Sequence, residues 1–125
     1  MTFNDWAKEI HENAVAHGWW DEERSFGEIV ALCHSELSEA LEEYRDHKPM
    51  AYQVQSYGIV EGRIEEDPEK WFPASKLEGI ATEMIDCLIR ILDWCGKEGV
   101  DVDTILAAKH EYNKKRPYRH GGKAL

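Results

Sequence analysis

The stretch HSELSEALEEY, residues 34–44, decides how the rest of this chain is read. On a helix of 3.6 residues per turn its apolar residues fall on one side, and Glu36 falls among them. Glu39 and Glu43 flank that side. A carboxylate on a buried stripe is costly unless it is paired or coordinates a metal. The stretch therefore predicts a helix whose buried face carries an acid with a partner or a cation.

Length, charge and cysteine content limit the class of protein. A chain of 125 residues predicts one domain, residues 1–125, with a core that needs neither disulfides nor a structural metal. The net charge of −10 disfavours binding to duplex nucleic acid or to an anionic membrane. Three cysteines without metal-ligand spacing predict reduced thiols. With no apolar targeting or spanning segment in the sequence, we expect a cytoplasmic protein.

Hydrophobic periodicity and capping signals predict an all-α fold of four helices, over residues 2–17, 25–46, 75–97 and 101–115. Two sequences of the form S-x-x-E, Ser25–Glu28 and Ser75–Glu78, predict the capping boxes that begin the second and third helices. Gly96 and Gly99 are expected to separate the third helix from the fourth.

The connection from Met50 to Ser75 has a different pattern. Its weak alternation around Gly58 and Gly62 allows a short β-hairpin within a long link between the second and third helices. A connection of this length is usually functional or mobile. The third helix is apolar around most of its girth, and the chain has five tryptophans. This surplus of apolar surface predicts a homo-oligomer, a dimer or a tetramer.

Two acidic pairs share one spacing, Glu36-x-x-Glu39 and Glu83-x-x-Asp86. Residues three apart project from the same side of a helix, so each pair can offer two oxygens to one hard cation. If the two helices face each other, the four carboxylates suit Mg²⁺, with Mn²⁺ as the alternative. The competing interpretation is a solvated polar strip in which Asp86 pairs with Arg90. No histidine follows a glutamate by three residues, which disfavours a di-iron carboxylate site.

The last helix predicts an anion site. Lys109, Asn113 and Arg116 share one face at the spacing i, i+4, i+7. Beside a metal held by carboxylates, such a face suits phosphate chemistry, because the cation and the basic side chains divide the phosphate charge between them.

In combination these motifs resemble the MazG-like branch of the all-α nucleoside triphosphate pyrophosphohydrolases. The motifs are ELSEALEE at 36–43, EMIDCLIR at 83–90 and KHEYNKKRPYRHGGK at 109–123. The resemblance runs from Trp6 to Lys123 and leaves the central connection unmatched. It implies a MazG-like helical bundle that oligomerises and a Mg²⁺-dependent hydrolysis of a nucleoside triphosphate, with a dNTP favoured. The products would be the nucleoside monophosphate and pyrophosphate.

The resemblance also assigns roles to residues. It matches Glu36, Glu39, Glu83 and Asp86 to the metal site and Lys109, Asn113 and Arg116 to the phosphate-contacting helix. Glu39 and Glu43 are the candidate catalytic residues, and Glu43, or less favourably Glu42, would orient or deprotonate the attacking water. Trp6 with Trp20 or Trp19 is the candidate contact to the base.

Three alternatives remain open. The tryptophans can equally serve core or interface packing, which is their more common role. The whole chain can also be a helical nucleotide-binding or protein-interaction module without catalysis, or an acidic bundle with solvated rows of charge. The sequence fixes neither base nor sugar specificity.

Overall fold

A computed structural model describes residues 1–55, 58–61 and 76–118, with only the backbone for residues 54, 55 and 58–61. In these ranges the chain is mainly helical, which confirms the predicted predominance of helix. The elements in order are α1 (Phe3–Ala16), α2 (Phe26–Arg45), β1 (Tyr52–Gln55), β2 (Gly58–Glu61), β3 (Lys76–Glu78), α3 (Ile80–Glu98) and α4 (Val102–Lys114). The chain divides into two compact units, Met1–Asp21 with Leu92–Leu125, and Glu22–Ile91. We call these the first and the second unit.

In the first unit, α1 begins with a capping box. The Thr2 hydroxyl accepts a hydrogen bond from the Asp5 amide at 3.1 Å, and the Asp5 carboxylate accepts one from the Thr2 amide at 2.9 Å. These bonds satisfy two amides that the helix itself leaves unpaired. Beyond the end of α1, Gly18 has φ +83°, a conformation that favours glycine. The predicted start and end of the first helix are thus confirmed.

The beginnings of α1 and α4 are tied together by their side chains. Asp101 caps α4 by accepting from the Thr104 amide at 3.1 Å. Asp103 accepts instead from the first amides of α1, with Phe3 at 3.0 Å and Asn4 at 3.2 Å. The Asn4 side chain completes the link, because it donates to Asp101 and accepts from the Val102 amide at 2.8 Å. Amides at both helix beginnings therefore find partners within this unit.

Gly96 was expected to break the third helix, and that prediction is wrong. Gly96 lies inside α3, and the break follows at Gly99, where φ is +69°. A Cβ atom on Gly96 would lie 2.5 Å from the Ala7 carbonyl oxygen and 2.7 Å from the His11 Cβ atom. The glycine therefore serves the close packing of α1 on α3. Buried apolar residues of this unit are Ala7, Leu92 and Cys95.

In the second unit, α2 begins and ends close to where the sequence predicts. The Ser25 hydroxyl accepts from the Glu28 amide at 3.1 Å, and Asp46 follows the last helical residue. Along α2 the side chains of Ile29, Glu36 and Ala40 are buried. The stretch 34–44 is therefore helical, and the side chain of Glu36 is buried as predicted.

The predicted hairpin is confirmed and belongs to a larger sheet. Strands β1 and β2 pair antiparallel, and β1 pairs antiparallel on its other side with β3, which gives the order β2-β1-β3. The prediction that the third helix begins with a capping box at Ser75–Glu78 is wrong. Lys76–Glu78 forms β3, in register with Val54–Tyr52, and Ser75 lies outside the described residues.

Gly79 separates β3 from α3. It has φ +118°, and a Cβ atom there would lie 2.5 Å from the Met50 carbonyl oxygen. That same carbonyl accepts a hydrogen bond from the Ala81 amide at 2.8 Å, in the first turn of α3. Only glycine permits this close approach with this backbone conformation. The helix therefore begins at Ile80, and Glu78 is the last residue of β3 rather than part of a capping box.

Candidate metal and phosphate site

The second unit brings together three of the four predicted metal ligands. Carboxylate oxygens of Glu36 and Glu39 on α2 and of Glu83 on α3 lie within 4.8 Å of one another. Glu36 is only 8% exposed, Glu83 is half-buried and Glu39 is exposed. The Glu83 Oε2 atom is buried and has no hydrogen-bond partner among the described residues. We call these three residues the carboxylate cluster.

Carboxylates this close repel one another when they are ionised. Burial raises the pKa of Glu83 to about 8, and hydrogen bonding to Glu39 and the negative charge of Asp86 act in the same direction. Either a proton or a cation can relieve this repulsion. Because carboxylate oxygens are the ligands that Mg²⁺ and Mn²⁺ prefer, the donor set fits a hard divalent cation better than zinc.

Asp86, the fourth predicted ligand, is not part of the carboxylate cluster. Burial raises the pKa of Asp86, and the charge of Glu36 raises it further, so the two carboxylates lie close enough to interact. Its role as a metal ligand stays a prediction.

Arg90 provides the positive charge that the buried Glu36 requires. The Arg90 Nε atom donates to Glu36 Oε1 at 2.8 Å, and the side chain of Glu36 is 10% exposed. The sequence offered Asp86 as the partner of Arg90 one turn away on the same helix. The structure adds this bond between helices, and it joins α2 to α3 at the cluster.

Glu43, the predicted base, is held by a residue that the sequence did not point to. The buried Tyr52 hydroxyl on β1 donates to the Glu43 carboxylate at 3.0 Å and also lies 3.2 Å from Glu78 Oε2. Burial raises the pKa of the Tyr52 hydroxyl far above its ordinary value, and hydrogen bonding to Glu43 adds to the shift. Tyr52 therefore remains a neutral donor, and it fixes the position of Glu43.

Two acids of the carboxylate cluster, together with Glu43 and Glu78, line one cavity of about 400 Å³ in the second unit. Its lining residues are Glu39, Glu42, Glu43, Asp46, Lys48, Tyr52, Lys76, Glu78 and Glu83. The cavity therefore has the cluster acids Glu39 and Glu83 and the predicted base Glu43 in its wall. In the sequence, Tyr52 was noticeable only as part of the weak alternation that allows a hairpin. Glu78 was noticeable only as the last residue of the wrongly predicted capping box.

The predicted phosphate-contacting residues belong to the first unit. Lys109 places its Nζ atom 4.9 Å from the centre of the Tyr112 ring, and the Arg116 guanidinium carbon lies 5.9 Å from it. Asn113 is exposed near the end of α4, and Arg116 lies just beyond the helix. The three residues do gather at one end of α4. Their contact with a phosphate stays a prediction.

The two tryptophans predicted to contact a base differ in their surroundings. Trp6 is 47% exposed on α1. The Trp20 indole donates to the buried Asp93 carboxylate at 3.0 Å, and His11 Nδ1 lies 2.8 Å from the same carboxylate oxygen. Lys97 covers the Trp20 ring. Trp20 thus has a packing role in the first unit, and base contact by either residue stays a prediction.

No protein family, curated protein or solved structure matches this chain in the comparisons. The assignment of a function therefore rests on the site itself and on the resemblance of the motifs. Among the described residues, no helix has the length and apolar character needed to cross a membrane.

The carboxylate cluster predicts how the metal-free protein responds to pH. The pKa of Glu83 is about 8 in the folded chain, against an ordinary value of 4.5. Its contribution to stability is therefore complete below pH 4.5 and is lost as the pH rises through about 8. We expect the Tm in a chelating buffer to fall over this range, and the fall to be smaller in Glu83→Gln. Equal slopes in both proteins would contradict the assignment.

Proposed function

We propose that the protein is a Mg²⁺-dependent nucleoside triphosphate pyrophosphohydrolase of the MazG-like kind. The observation that carries the proposal is the carboxylate cluster, in which two helices contribute oxygens within 4.8 Å and one buried oxygen of Glu83 lacks a partner among the described residues. The sequence motifs predicted these residues from helical spacing. Their convergence supports a cation site rather than a solvated row of charge.

A bound Mg²⁺ would act as a Lewis acid on phosphate oxygens and neutralise part of their charge. Glu36, Glu39 and Glu83 are the residues that would hold it, with Asp86 as the proposed fourth ligand. Arg90 on α3 donates a hydrogen bond to Glu36 and so orients its carboxylate. The Glu36 carboxylate is therefore positioned before a ligand binds.

Glu43 is our proposed general base. It lines the same cavity as Glu39, and the Tyr52 hydroxyl holds its carboxylate. In the proposed reaction Glu43 accepts a proton from water as the water oxygen attacks phosphorus. The bond between the α-phosphorus and its bridging oxygen breaks, and the bridging oxygen leaves with pyrophosphate. Glu39, as a cluster member in the cavity wall, completes the proposed catalytic pair.

Lys109, Asn113 and Arg116 are the proposed contacts to phosphate, and Trp6 and Trp20 are the proposed contacts to the base. These roles come from the resemblance and from the shared helical face. The favoured substrate is a dNTP.

We also propose that the chain assembles as a homodimer or homotetramer. In the second unit, Leu37, Leu41 and Tyr44 recur at the spacing of one helix face on α2, and all three are exposed. On α3, Ile85 and Ile89 are also exposed. Apolar faces of this kind are typical of interfaces. Sedimentation equilibrium measures the assembly, and a monomer at micromolar concentration would contradict it.

The function is tested by a panel of ribo- and deoxynucleoside triphosphates, assayed for pyrophosphate with Mg²⁺ and with Mn²⁺. We expect release from at least one substrate and none in the presence of a chelator. Nucleotide binding without turnover would instead indicate a binding module that lacks catalysis. No release from any substrate with either metal would refute the proposal.

A further inference from the structure

Among the residues that line the cavity of the second unit, two are lysines, Lys48 and Lys76, and the other charged side chains are all acidic. A polyphosphate entering such a cavity meets repulsion from every carboxylate that the metal does not neutralise. A positively charged side chain at the cavity wall would offset that repulsion. The two lysines are therefore the candidates for direct contact with phosphate.

Lys76 is better placed by its contacts. It lies on β3, its Nζ atom is 3.0 Å from Glu78 Oε1, and its side chain is 75% exposed. The other oxygen of Glu78 lies 3.2 Å from the Tyr52 hydroxyl oxygen, which donates its proton to Glu43. Close polar contacts thus connect the Lys76 ammonium, Glu78 and Tyr52 to the proposed base. The Glu78 carboxylate raises the pKa of Lys76, so the ammonium remains charged.

We infer that Lys76 binds a phosphate group of the ligand in this cavity, and that Glu78 holds its ammonium group in position. This inference rests on the proposed function and names a residue that lies outside the family motifs at 36–43, 83–90 and 109–123. The Lys76 ammonium has three N–H donors, so it can donate to a phosphate oxygen while Glu78 remains its partner. A phosphate carries more charge than a carboxylate and forms the stronger charge-assisted bond.

The test is the binding of inorganic pyrophosphate in the presence of Mg²⁺, measured by calorimetry. We expect Lys76→Ala to weaken binding about tenfold, since one charge-assisted hydrogen bond is lost. Lys76→Arg keeps the charge and should retain most of the affinity. The control is Lys8→Ala, an exposed lysine on α1, which should bind as the wild type does.

If Lys76 had only a structural role, its loss would also change the rise of Tm on addition of Mg²⁺. Mg²⁺ alone should raise the Tm of Lys76→Ala as much as that of the wild type, because the carboxylate cluster is intact. A lost response to Mg²⁺ would overturn the inference, as would wild-type affinity in Lys76→Ala or a wild type that does not bind pyrophosphate. If the wild type binds pyrophosphate through Lys76 but hydrolyses no triphosphate, only the proposed function fails.

Discussion

The Glu39→Gln variant is expected to lose pyrophosphate release by at least about 100-fold, because it removes a proposed metal ligand and loss of even a supporting contact can cost that much. Glutamine keeps the size of the side chain but removes its negative charge. Glu39 is exposed, so the variant should fold normally. The same variant should show a smaller rise of Tm on addition of Mg²⁺ than the wild type.

The matched control for this variant is Glu9→Gln, which changes an exposed acid on α1 in the first unit. It should keep both the activity and the Mg²⁺ response. Assays of pyrophosphate release and of thermal unfolding on the three proteins separate the outcomes. A Glu39→Gln variant with wild-type activity would contradict the assignment of the cluster as the metal site.

The Arg90→Met variant should have the largest effect on stability. Loss of the Arg90 side chain removes the guanidinium that lies 2.8 Å from Glu36. Glu36 is only 8% exposed and then lies beside two further carboxylates without a positively charged partner. Breaking a buried pair typically costs 3–5 kcal/mol, and the partial exposure of Arg90 lowers our expected cost to about 2–3 kcal/mol. Chemical denaturation in a chelating buffer measures it. Mg²⁺ should restore part of the loss, since a cation replaces the missing charge.

A double-mutant cycle tests whether the cost comes from the uncompensated acid. Glu36→Gln combined with Arg90→Met should be less destabilising than Arg90→Met alone, because the buried Glu36 carboxylate that lost its partner is then also removed. Arg45→Met serves as the control, since Arg45 is exposed and only 3.7 Å from an exposed Glu42. That variant should change the free energy of unfolding by less than about 0.5 kcal/mol. Additive effects of Glu36→Gln and Arg90→Met would contradict the account.

The parts of the fold that local signals determine were predictable. Helix α1 follows from its periodicity and the Thr2 cap, and α2 follows from Ser25 and the apolar stripe. Helical spacing also placed Glu36 and Glu39 on one face. That α3 would bring Glu83 to the same point required only that the two helices face each other.

The parts that depend on distant residues were not predictable. Ser75–Glu78 has the form of a capping box, but pairing of β3 with β1 and the close approach at Gly79 decide the structure there. The hydrogen bonds between β3 and β1, and the close contact of Gly79 with Met50, outweigh the weak local preference of Ser75–Glu78 for a helix start. Because Glu78 was assigned to a helix start, its contact with Tyr52 could not be foreseen.

The same limit applies to side-chain partners. Sequence spacing offered Asp86 to Arg90, and it gave no sign of the 2.8 Å bond from Arg90 to Glu36 on another helix. The fold likewise joins Asp93 to His11 and Trp20. Residues far apart in the chain meet only when packing is known, and helical periodicity carries no information on it.

We propose that the carboxylate cluster holds a cation with which the chain hydrolyses a nucleoside triphosphate to the monophosphate and pyrophosphate. Phosphorus NMR of the reaction with Mg²⁺ identifies both products directly, with Glu39→Gln as the parallel sample. We predict resonances of the nucleoside monophosphate and pyrophosphate in the wild-type sample and unchanged triphosphate in the variant. Unchanged triphosphate in the wild-type sample across all nucleotides, or diphosphate with orthophosphate as products, would contradict the account.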